Sequence, residues 1–424
     1  MRIAIHTQHF VGVGHHVRAT RLARAFRQVP GSPHEVLLFD GGRPFGGPGF
    51  DVGPKEDARH RVQLPPLVRG EAGLKSPGPD QPLGVVLAER RQLLVEGLRR
   101  QQPDLFLLDS FPFSRWELRE ELFAGIRQVQ ASNPAARVVC SLRDVPRASQ
   151  ERNGSDLHGW DSERGRPWPI RSADDRLPHL PEILNAHFDA ILIHGDPQVT
   201  RLEDHFPWVR KLRIPVHYTG YVRQEAEAGR LVTVPRADGP LVVVSVGGGV
   251  NGLRIIELAA AARSHLQRHA GWGEGRMVVF GGALMSAAEL ARATAVCRQH
   301  GAQFKAFSRE FPAWLQAADL SVSRGGYNTL VAVLAARVRA LVFPATSVSD
   351  QVFRVQRLAE LGIIRTTPEK ELDALRLSAV IRGALDQPPA VHELDLAGAE
   401  RTVQLLTELA AGHPAARAVP VVRL

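Results

Sequence analysis

The sequence contains few cysteines and none of the short motifs that mark several common catalytic centres. Only two of its 424 residues are cysteines, Cys140 and Cys297, and they lie in apolar stretches far apart in the chain. Their spacing fits neither a metal site nor a disulfide framework, so we expect a protein of a reducing cytoplasm. HExxH, GxSxG and Gly-Lys-Ser/Thr motifs are missing, which gives no support to zinc peptidase, serine hydrolase or P-loop ATPase chemistry.

Long hydrophobic runs are missing as well. No apolar run reaches the ~20 residues that span a bilayer. The first residues, "MRIAIHTQHF", enter a strand pattern without the apolar centre and cleavage site of a signal peptide. We therefore predict a cytoplasmic location.

Positive charge is in excess, but it is not concentrated. The formal net charge is +9, the arginines are dispersed along the chain, and aromatic residues make up 6% of it. This balance is compatible with phosphorylated substrates or an anionic membrane surface, whereas nucleic-acid binding would need a basic stripe or a recognised fold. We predict no nucleic-acid partner; peripheral membrane contact stays open, although no basic amphipathic helix demands it.

The sequence does have short β-rich apolar runs that alternate with amphipathic helical patterns in both halves. Examples are "RIAIHT", "HEVLLFD", "DLFLLDS", "PLVVVSVGGG", "RMVVFGG" and "RALVFPA". This alternation predicts an α/β fold with doubly wound parallel sheets. A chain of this length is longer than a single hydrophobic core usually supports. The segment "AEAGRLVTVPRADGP" interrupts both the strand and the helix patterns. We predict two domains, residues 1–225 and 238–424.

Doubly wound sheets bind ligands beyond the carboxyl ends of their strands. In the first half, "VGVGHHVR" places Gly14 and His15 at the start of a helix, where the histidine suits a general base or a phosphate donor. A third glycine is missing, so nicotinamide or flavin binding is not supported. Asp109, Asp144 and Asp196 follow strands and are rival bases, although each also suits a hydrogen-bonded turn.

The second half offers three glycine or polar clusters at strand ends. Gly247, Gly248 and Gly249 end a buried strand, which suits either close passage of the backbone past a phosphate or a tight turn. Ser323, Gly325 and Gly326 of "SRGGYNTL" precede a helix whose N-terminus can hold an anion. Asp350 and Gln351 open the next helix and suit bidentate bonds to sugar hydroxyls, although Asp350 also suits simple N-capping.

Taken in order, "GVGHHVR", "YTGYVR", "GGG", "SRGGYNTL" and "DQVFRVQRL" resemble the GT-B glycosyltransferases of family 28, the MurG-like enzymes. Most of residues 1–365 also resemble a bacterial group of MurG-like glycosyltransferases named by similarity. The matching stretches include "QLPPLVRGE", "FPFSRWELREEL", "VVCSLRDV" and "FPWVRKLRIPVHYTGYV".

The resemblance implies two Rossmann-like domains that face a central cleft, with the last helix crossing back to the first domain. It implies a metal-independent hexosyltransferase without a resident cofactor, whose co-substrate is a nucleotide-sugar, typically a UDP-sugar. The acceptor, which can be a small molecule, a lipid-linked compound or a glycan, would lie on the side of the first domain. By the same resemblance His15 matches the family's glycine-loop histidine. The donor contacts would come from Gly14, Arg223, Gly247, Gly248, Gly249, Ser323, Gly325, Gly326, Asp350 and Gln351.

One position departs from the family. Where MurG-type sequences carry a glutamate that binds the ribose hydroxyls, this chain has Ala332. Alanine cannot accept those hydrogen bonds, so the ribose contact is lost or supplied elsewhere. Two alternatives therefore stay open: a UDP-sugar epimerase of GT-B fold, and a non-catalytic homologue that binds a sugar nucleotide or glycan.

Overall fold

The computed structural model forms two compact units. Among the described residues, the first unit comprises residues 1–44, 60–222 and 397–412, and the second comprises residues 223–396. The structure describes residues 1–10, 12–31, 34–44, 60–70, 73–76, 78, 81–146, 160–161, 166–167, 179–224, 234–235, 238–249, 252–269, 271–344, 349–369, 372–389 and 391–412.

The first unit contains a seven-stranded parallel sheet. Its strand order is β11-β10-β7-β6-β1-β2-β3, so consecutive strands run outward in both directions from the pair β1 and β6. The sheet strands are β1 (Arg2–Thr7), β2 (Glu35–Asp40), β3 (Arg61–Gln63), β6 (Leu105–Asp109), β7 (Arg137–Leu142), β10 (Ala190–Ile193) and β11 (Val216–Tyr218). Two antiparallel pairs accompany it: β4 (Val68–Gly70) with β5 (Gly73–Lys75), and β8 (Trp160–Asp161) with β9 (Arg166–Pro167).

Helices cover both faces of this sheet. The strands are apolar on both faces because both are buried: Phe106 and Leu108 pack in one core cluster, and Leu105 and Leu107 pack in another. The helices of this unit are α1 (Gly14–Arg27), α2 (Leu83–Gln101), α3 (Arg119–Ser132), α4 (Leu180–His187), α5 (Leu202–His205) and α12 (Gly398–Ala410).

The last helix, α12, completes one face of the first unit. Leu405 and Leu406 of α12 share a core cluster with Leu22 and Phe26 of α1. The amide of Gly398 donates to the carbonyl of Tyr221 at 3.1 Å. A Cβ on Gly398 would lie 2.4 Å from the carbonyl oxygen of Gly220, so only glycine permits this approach.

The second unit contains a six-stranded parallel sheet of order β14-β13-β12-β15-β16-β17, which reverses direction between β12 and β15. Its strands are β12 (Leu241–Ser245), β13 (Arg276–Phe280), β14 (Gln303–Lys305), β15 (Leu320–Arg324), β16 (Arg339–Phe343) and β17 (Arg365–Thr366). Its helices are α6 (Leu253–Leu266), α7 (Ala287–Gln299), α8 (Phe311–Ala317), α9 (Tyr327–Ala336), α10 (Ser349–Glu360) and α11 (Ala374–Leu385). The predicted pair of doubly wound α/β domains is thus confirmed. None of the described helices has the length and apolar character needed to cross a membrane.

Candidate active site

Several of the predicted site residues lie where each sheet reverses direction. In the first unit, Thr7 ends β1, Asp109 ends β6, and His15 lies in the first turn of α1, directly after β1. In the second unit, Ser245 and Ser323 are paired neighbours at the ends of β12 and β15. Such reversal points leave a crevice at the carboxyl edge of an open sheet, where ligands bind.

His15 and Asp109 form a hydrogen-bonded pair. Nδ1 of His15 lies 2.8 Å from Oδ2 of Asp109, and Nη2 of Arg115 lies 3.1 Å from Nε2 on the opposite side of the ring. A guanidinium group carries only donors, so Nε2 accepts and the ring proton resides on Nδ1, which donates to Asp109. The His15 side chain retains 14% exposure against 3% for Asp109, so the histidine is the member of the pair that a substrate can reach.

Asp109 is a buried carboxylate, and both of its oxygens accept hydrogen bonds. Oδ2 also accepts from the hydroxyl of Thr7 at 2.9 Å, while Oδ1 accepts from the hydroxyl of Ser110 at 3.0 Å and from the guanidinium of Arg18. Burial would raise the pKa of the Asp109 carboxyl, but its interactions with His15 and Arg18 outweigh burial and hold that pKa well below its usual range. Asp109 is therefore ionised and orients the imidazole rather than exchanging protons itself.

His15 is neutral at physiological pH. Burial lowers the pKa of His15 to about 3; Asp109 opposes this shift, and the positive charges of Arg115 and Arg143 add to it. Nε2 therefore carries a lone pair and can accept a proton, but a pKa this low makes the ring a weak base for as long as the flanking positive charges are not offset. Among the described residues, the hydrogen-bond partners of His15 are Asp109 and Arg115.

The other two candidate aspartates form turns. Oδ1 of Asp144 accepts from the amide of Val145 at 2.8 Å, and Oδ1 of Asp196 accepts from the amide of Gln198 at 2.8 Å. Short-range bonds of this kind are how aspartates stabilise loops after strands. The structure thus brings Asp109, and neither Asp144 nor Asp196, into hydrogen-bond contact with His15.

Arg18 and Arg115 also contact this pair, although neither is among the residues that the sequence predicts for the site. Arg18 stands three residues after His15 on α1, a spacing that places both side chains on one helix face and could have identified it. Arg115 gave no such signal, because it follows β6 in a loop and reaches His15 only through the tertiary fold. Its backbone is left-handed, with φ of 67°.

A second buried network lies at the same sheet edge. Both carboxylate oxygens of Glu121 on α3 accept from Arg90 on α2, at 2.8 and 2.9 Å, and Nε2 of His6 lies 2.9 Å from Oε1. Arg90 also donates to the side chain of Gln8 at 3.0 Å and to the carbonyl of Pro65 at 2.6 Å. Arg90 and Glu121 therefore join two helices to the loops after β1 and β3.

In the second unit, Ser323 has a buried hydroxyl that finds no hydrogen-bond partner in the described part of the chain. Gly326, the N-cap residue of α9, follows three positions later, and no atom lies within 4 Å of the point where its Cβ would be. The positive end of the α9 dipole is directed at this open turn. An unsatisfied buried hydroxyl beside an open helix N-terminus suits an anionic ligand with several acceptor oxygens.

Gly325 has a packing role. Its amide donates to the carbonyl of Phe343 at 3.1 Å, and its carbonyl accepts from Nη2 of Arg354 at 3.1 Å. A Cβ at Gly325 would lie 2.6 Å from Cγ2 of Val355, which is fully buried. The predicted contact of Gly325 with a diphosphate thus cannot use its own N–H unless the bond to Phe343 opens.

The three-glycine loop is shaped by close backbone approach. Gly247 and Gly249 have positive φ values of 63° and 92°. A Cβ on Gly249 would lie 2.6 Å from Cγ of Met285 and 3.0 Å from Cα of Gly282. The amide of Gly247 donates to Oγ of Ser245 at 3.3 Å and that of Gly249 to the carbonyl of Val246 at 3.2 Å. Of the three amides, only that of Gly248 has no partner among the described residues.

The remaining predicted residues occupy less defined positions. Gly14 is the first residue of α1, and Arg223 is exposed at the start of the second unit. Gln351 lies in the first turn of α10, and its buried Oε1 has no partner within the described residues. The side chain of Asp350 lies outside the described part of the structure. Ala332 lies on α9 and is half-buried.

The two glycines of the α9 turn yield a stability prediction. We expect Gly325→Ala to lower the free energy of unfolding by about 1–3 kcal/mol, because the new methyl group would overpack against Val355. Gly326→Ala is the matched control, since its Cβ would enter open space. Urea denaturation followed by circular dichroism measures both; equal losses in the two variants would show that the turn is not packed as described.

Comparison with known proteins agrees with these observations. Residues 243–406 match the glycosyltransferase family 28 C-terminal domain. A stretch of 78 residues is 36% identical to the UDP-N-acetylglucosamine–N-acetylmuramyl-(pentapeptide) pyrophosphoryl-undecaprenol N-acetylglucosamine transferase of Shouchella clausii (strain KSM-K16). That stretch spans 18% of this chain and 22% of the length of that protein.

Solved structures share the fold over nearly the whole chain. Acinetobacter baumannii MurG aligns with a TM-score of 0.53 at 14% identity, covering 97% of this chain and 99% of that one. A putative UDP-N-acetylglucosamine 2-epimerase from Listeria monocytogenes aligns with a TM-score of 0.57 at 12% identity, covering 99% of both chains. The fold likeness therefore does not separate transferases from epimerases. Residues 243–406 thus match the C-terminal domain of glycosyltransferase family 28, and the chain as a whole has the two-domain Rossmann-like fold of the GT-B glycosyltransferases.

Proposed function

We propose that the protein is a glycosyltransferase that moves a sugar from a nucleoside-diphosphate sugar, of the UDP-sugar class, to a hydroxyl group of an acceptor. The observation that carries this proposal is the His15–Asp109 pair, with its neutral imidazole at the point where the first sheet reverses direction. A family 28 domain in the second half supports the choice of donor class.

The chemistry follows from the positions of the protons. The acceptor oxygen attacks the anomeric carbon, and its proton passes to Nε2 of His15. The bond between that carbon and the phosphate oxygen breaks, and the departing diphosphate takes the electron pair. Asp109 stabilises the imidazolium that forms, as a carboxylate does in any base–orienter pair. A single displacement of this kind inverts the anomeric centre.

The second unit supplies the groups that would stabilise the leaving diphosphate. We assign this role to the α9 N-terminus at Gly326, the Ser323 hydroxyl and the Gly248 amide. Fixed dipoles of this type stabilise developing negative charge without requiring a metal ion. Gln351 of α10 would contact the donor sugar, as the family resemblance implies.

Ser323 gives a direct test of donor binding. We expect Ser323→Ala to weaken UDP binding about tenfold, because a hydrogen bond to a charged phosphate is lost. The variant should unfold no more easily than the wild type, since the hydroxyl has no partner in the described chain. Ser321→Ala is the matched control: its hydroxyl is equally buried and unpartnered, but it lies two residues further from the strand end.

Isothermal titration calorimetry with UDP measures both variants. UDP affinity that is unchanged in Ser323→Ala would remove Ser323 from the donor site. Failure of UDP, GDP and dTDP all to bind the wild-type chain would refute the proposed function itself.

Product analysis then separates transfer from epimerisation. A panel of labelled UDP-sugars is incubated with and without candidate acceptors, and free UDP is quantified. A transferase releases UDP in step with acceptor added, whereas release without acceptor, together with a changed sugar, would identify an epimerase.

A further inference from the structure

Arg115 donates a hydrogen bond to Nε2 of His15, the atom that would accept the proton in the proposed reaction. Its Nη2 donates to Nε2 of His15 at 3.1 Å, its Nε donates to the carbonyl of Gln8 at 3.1 Å, and its guanidinium lies 5.1 Å from the ring centroid of Phe10. While this bond persists, His15 cannot accept a proton from a substrate. The structure therefore shows the base in a blocked arrangement.

The direct partners of Arg115 are all neutral: an imidazole, a carbonyl and an aromatic ring. Two carboxylates act on its charge, Asp109 and Glu117. Asp109 is already occupied on both oxygens by His15, Thr7, Arg18 and Ser110, and Glu117 is paired with Arg69. A guanidinium that is largely removed from water gains most from an anionic oxygen partner. Within the described residues, Arg115 has no hydrogen bond to a carboxylate.

Two further arginines, Arg143 and Arg69, lie close enough for their charges to act on Arg115. Arg143 follows β7, which pairs with β6. Burial is the main cause that lowers the pKa of Arg115 and of His15; Asp109 opposes both shifts, and the charge of Arg143 adds to them. Arg69 lies on the same Phe10 ring, 5.2 Å from its centroid, and is paired with Glu117. Arg115 thus bonds directly to His15, and Arg143 adds a second positive charge that acts on the same ring.

We propose that Arg115 and Arg143 form an anion subsite beside His15, which takes a carboxylate or phosphate group of the acceptor and, when occupied, draws Arg115 away from Nε2. The proposal rests on the proposed function, because it assigns the acceptor's chemical class at that function's catalytic base. Arg115 thus has two roles: it selects an acceptor that carries negative charge, and it keeps His15 blocked until such an acceptor is bound.

The two roles are physically linked. Moving Arg115 to the anion leaves the Nε2 lone pair open for the acceptor hydroxyl. The anion also offsets the positive charges that disfavour protonation of His15, so the imidazole becomes a stronger base when the acceptor is in place. A bound water molecule, which is neutral, produces neither change, and this protects the donor from hydrolysis.

The test observes His15 directly by NMR of the full-length chain with isotope-labelled histidine, and the His15→Gln variant assigns its signals. Inorganic phosphate and acetate are titrated separately, which distinguishes a phosphate from a carboxylate subsite. We expect at least one of them to shift the His15 ring signals in a saturable way and to raise the pKa of His15. Arg115→Met and Arg143→Met should each weaken that binding by about tenfold or more.

Arg99→Met is the control, because it removes an equally charged but exposed side chain from α2. Thermal melting identifies any variant that fails to fold. Arg115 and Arg143 lie in different loops, so if one variant does not fold, the other still tests the proposal. The proposal is overturned if neither anion perturbs His15, or if Arg115→Met and Arg143→Met bind the anion as the wild type does.

The anion subsite and the proposed transferase function can be refuted separately. Sugar transfer by a protein whose His15 does not respond to either anion would overturn the subsite alone. An anion response at His15 in a protein that releases no UDP with any acceptor would leave the subsite standing and overturn the transferase activity.

Discussion

Replacement of His15 by glutamine is expected to lower the rate of sugar transfer by about 10²- to 10⁴-fold, the usual contribution of a general base. Donor binding should remain unchanged, because the assigned donor contacts lie in the second unit. Glutamine keeps similar bulk and can still bond to Asp109, so the loss would reflect the missing proton acceptor. His265→Gln on α6 is the control, since that ring lies at the exposed end of its helix.

The measurement is UDP release at saturating donor and acceptor, together with UDP affinity by calorimetry. A rate that falls less than about threefold would mean that another group accepts the proton, with Asp144 and Asp196 as the next candidates. A parallel loss of UDP affinity would instead place His15 among the donor contacts.

The pH dependence of the wild-type enzyme provides an independent check on the same residue. The pKa of His15 in the free protein is about 3, so its ring is already neutral above that pH. kcat/KM, which reports ionisations of the free enzyme, should therefore show no loss between pH 8 and pH 5 from protonation of His15. A fall centred near pH 6.5, the ordinary value for histidine, would contradict the buried, arginine-flanked environment described for this ring.

Arg90→Met is expected to lower the free energy of unfolding by about 3–5 kcal/mol, the largest stability effect that we predict. The substitution leaves Glu121 charged and buried, with His6 as its remaining side-chain partner among the described residues. The double variant Arg90→Met/Glu121→Gln should recover part of the loss, because it removes the unpaired charge. Arg99→Met, at the exposed end of the same helix, should cost little.

The effect of Glu121 on the pH dependence of stability should also have opposite signs in the wild type and in Arg90→Met. Burial would raise the pKa of Glu121, but Arg90 and His6 outweigh burial and lower it below the ordinary value of 4.5. In the wild type this carboxylate therefore stabilises the fold above about pH 4.5, and the contribution is lost as the pH falls further. In Arg90→Met burial is no longer offset, the pKa of Glu121 rises, and the deficit should shrink as the pH falls from 7 towards 5. Urea denaturation at several pH values tests this; a deficit that grows on acidification would contradict the buried pair.

Much of the fold was predictable because apolar runs such as "DLFLLD" have the length and β-rich character of strands buried on both faces. His15 and Asp109 were also predictable as candidates, since both follow directly from the rule that ligands bind at the carboxyl ends of strands. Their pairing was not, because nothing in the sequence distinguished Asp109 from Asp144 or Asp196. Only the order of strands in the sheet places β6, and not β7 or β10, beside β1.

The glycines show a different limit. The sequence marked Gly249 and Gly325 as candidate donor contacts. In the structure both lie where the backbone is constrained, and the constraint comes from neighbours far away in the chain, Gly282 and Val355. Arg115 escaped notice for a related reason: its contact with His15 spans 100 positions and depends on a loop conformation that no local pattern encodes.

The position of α12 has a consequence for how the protein is made. The first unit begins at the N-terminus, yet one of its faces is completed by the last helix, whose Leu405 and Leu406 pack in the cluster that contains Phe26 of α1. During synthesis this apolar surface stays uncovered until the whole second unit has been translated. That interval is roughly ten seconds or more at common elongation rates. A chain released before residue 398 would carry that surface uncovered, which makes premature termination in the second half a route to aggregation or to chaperone capture rather than to a functional fragment.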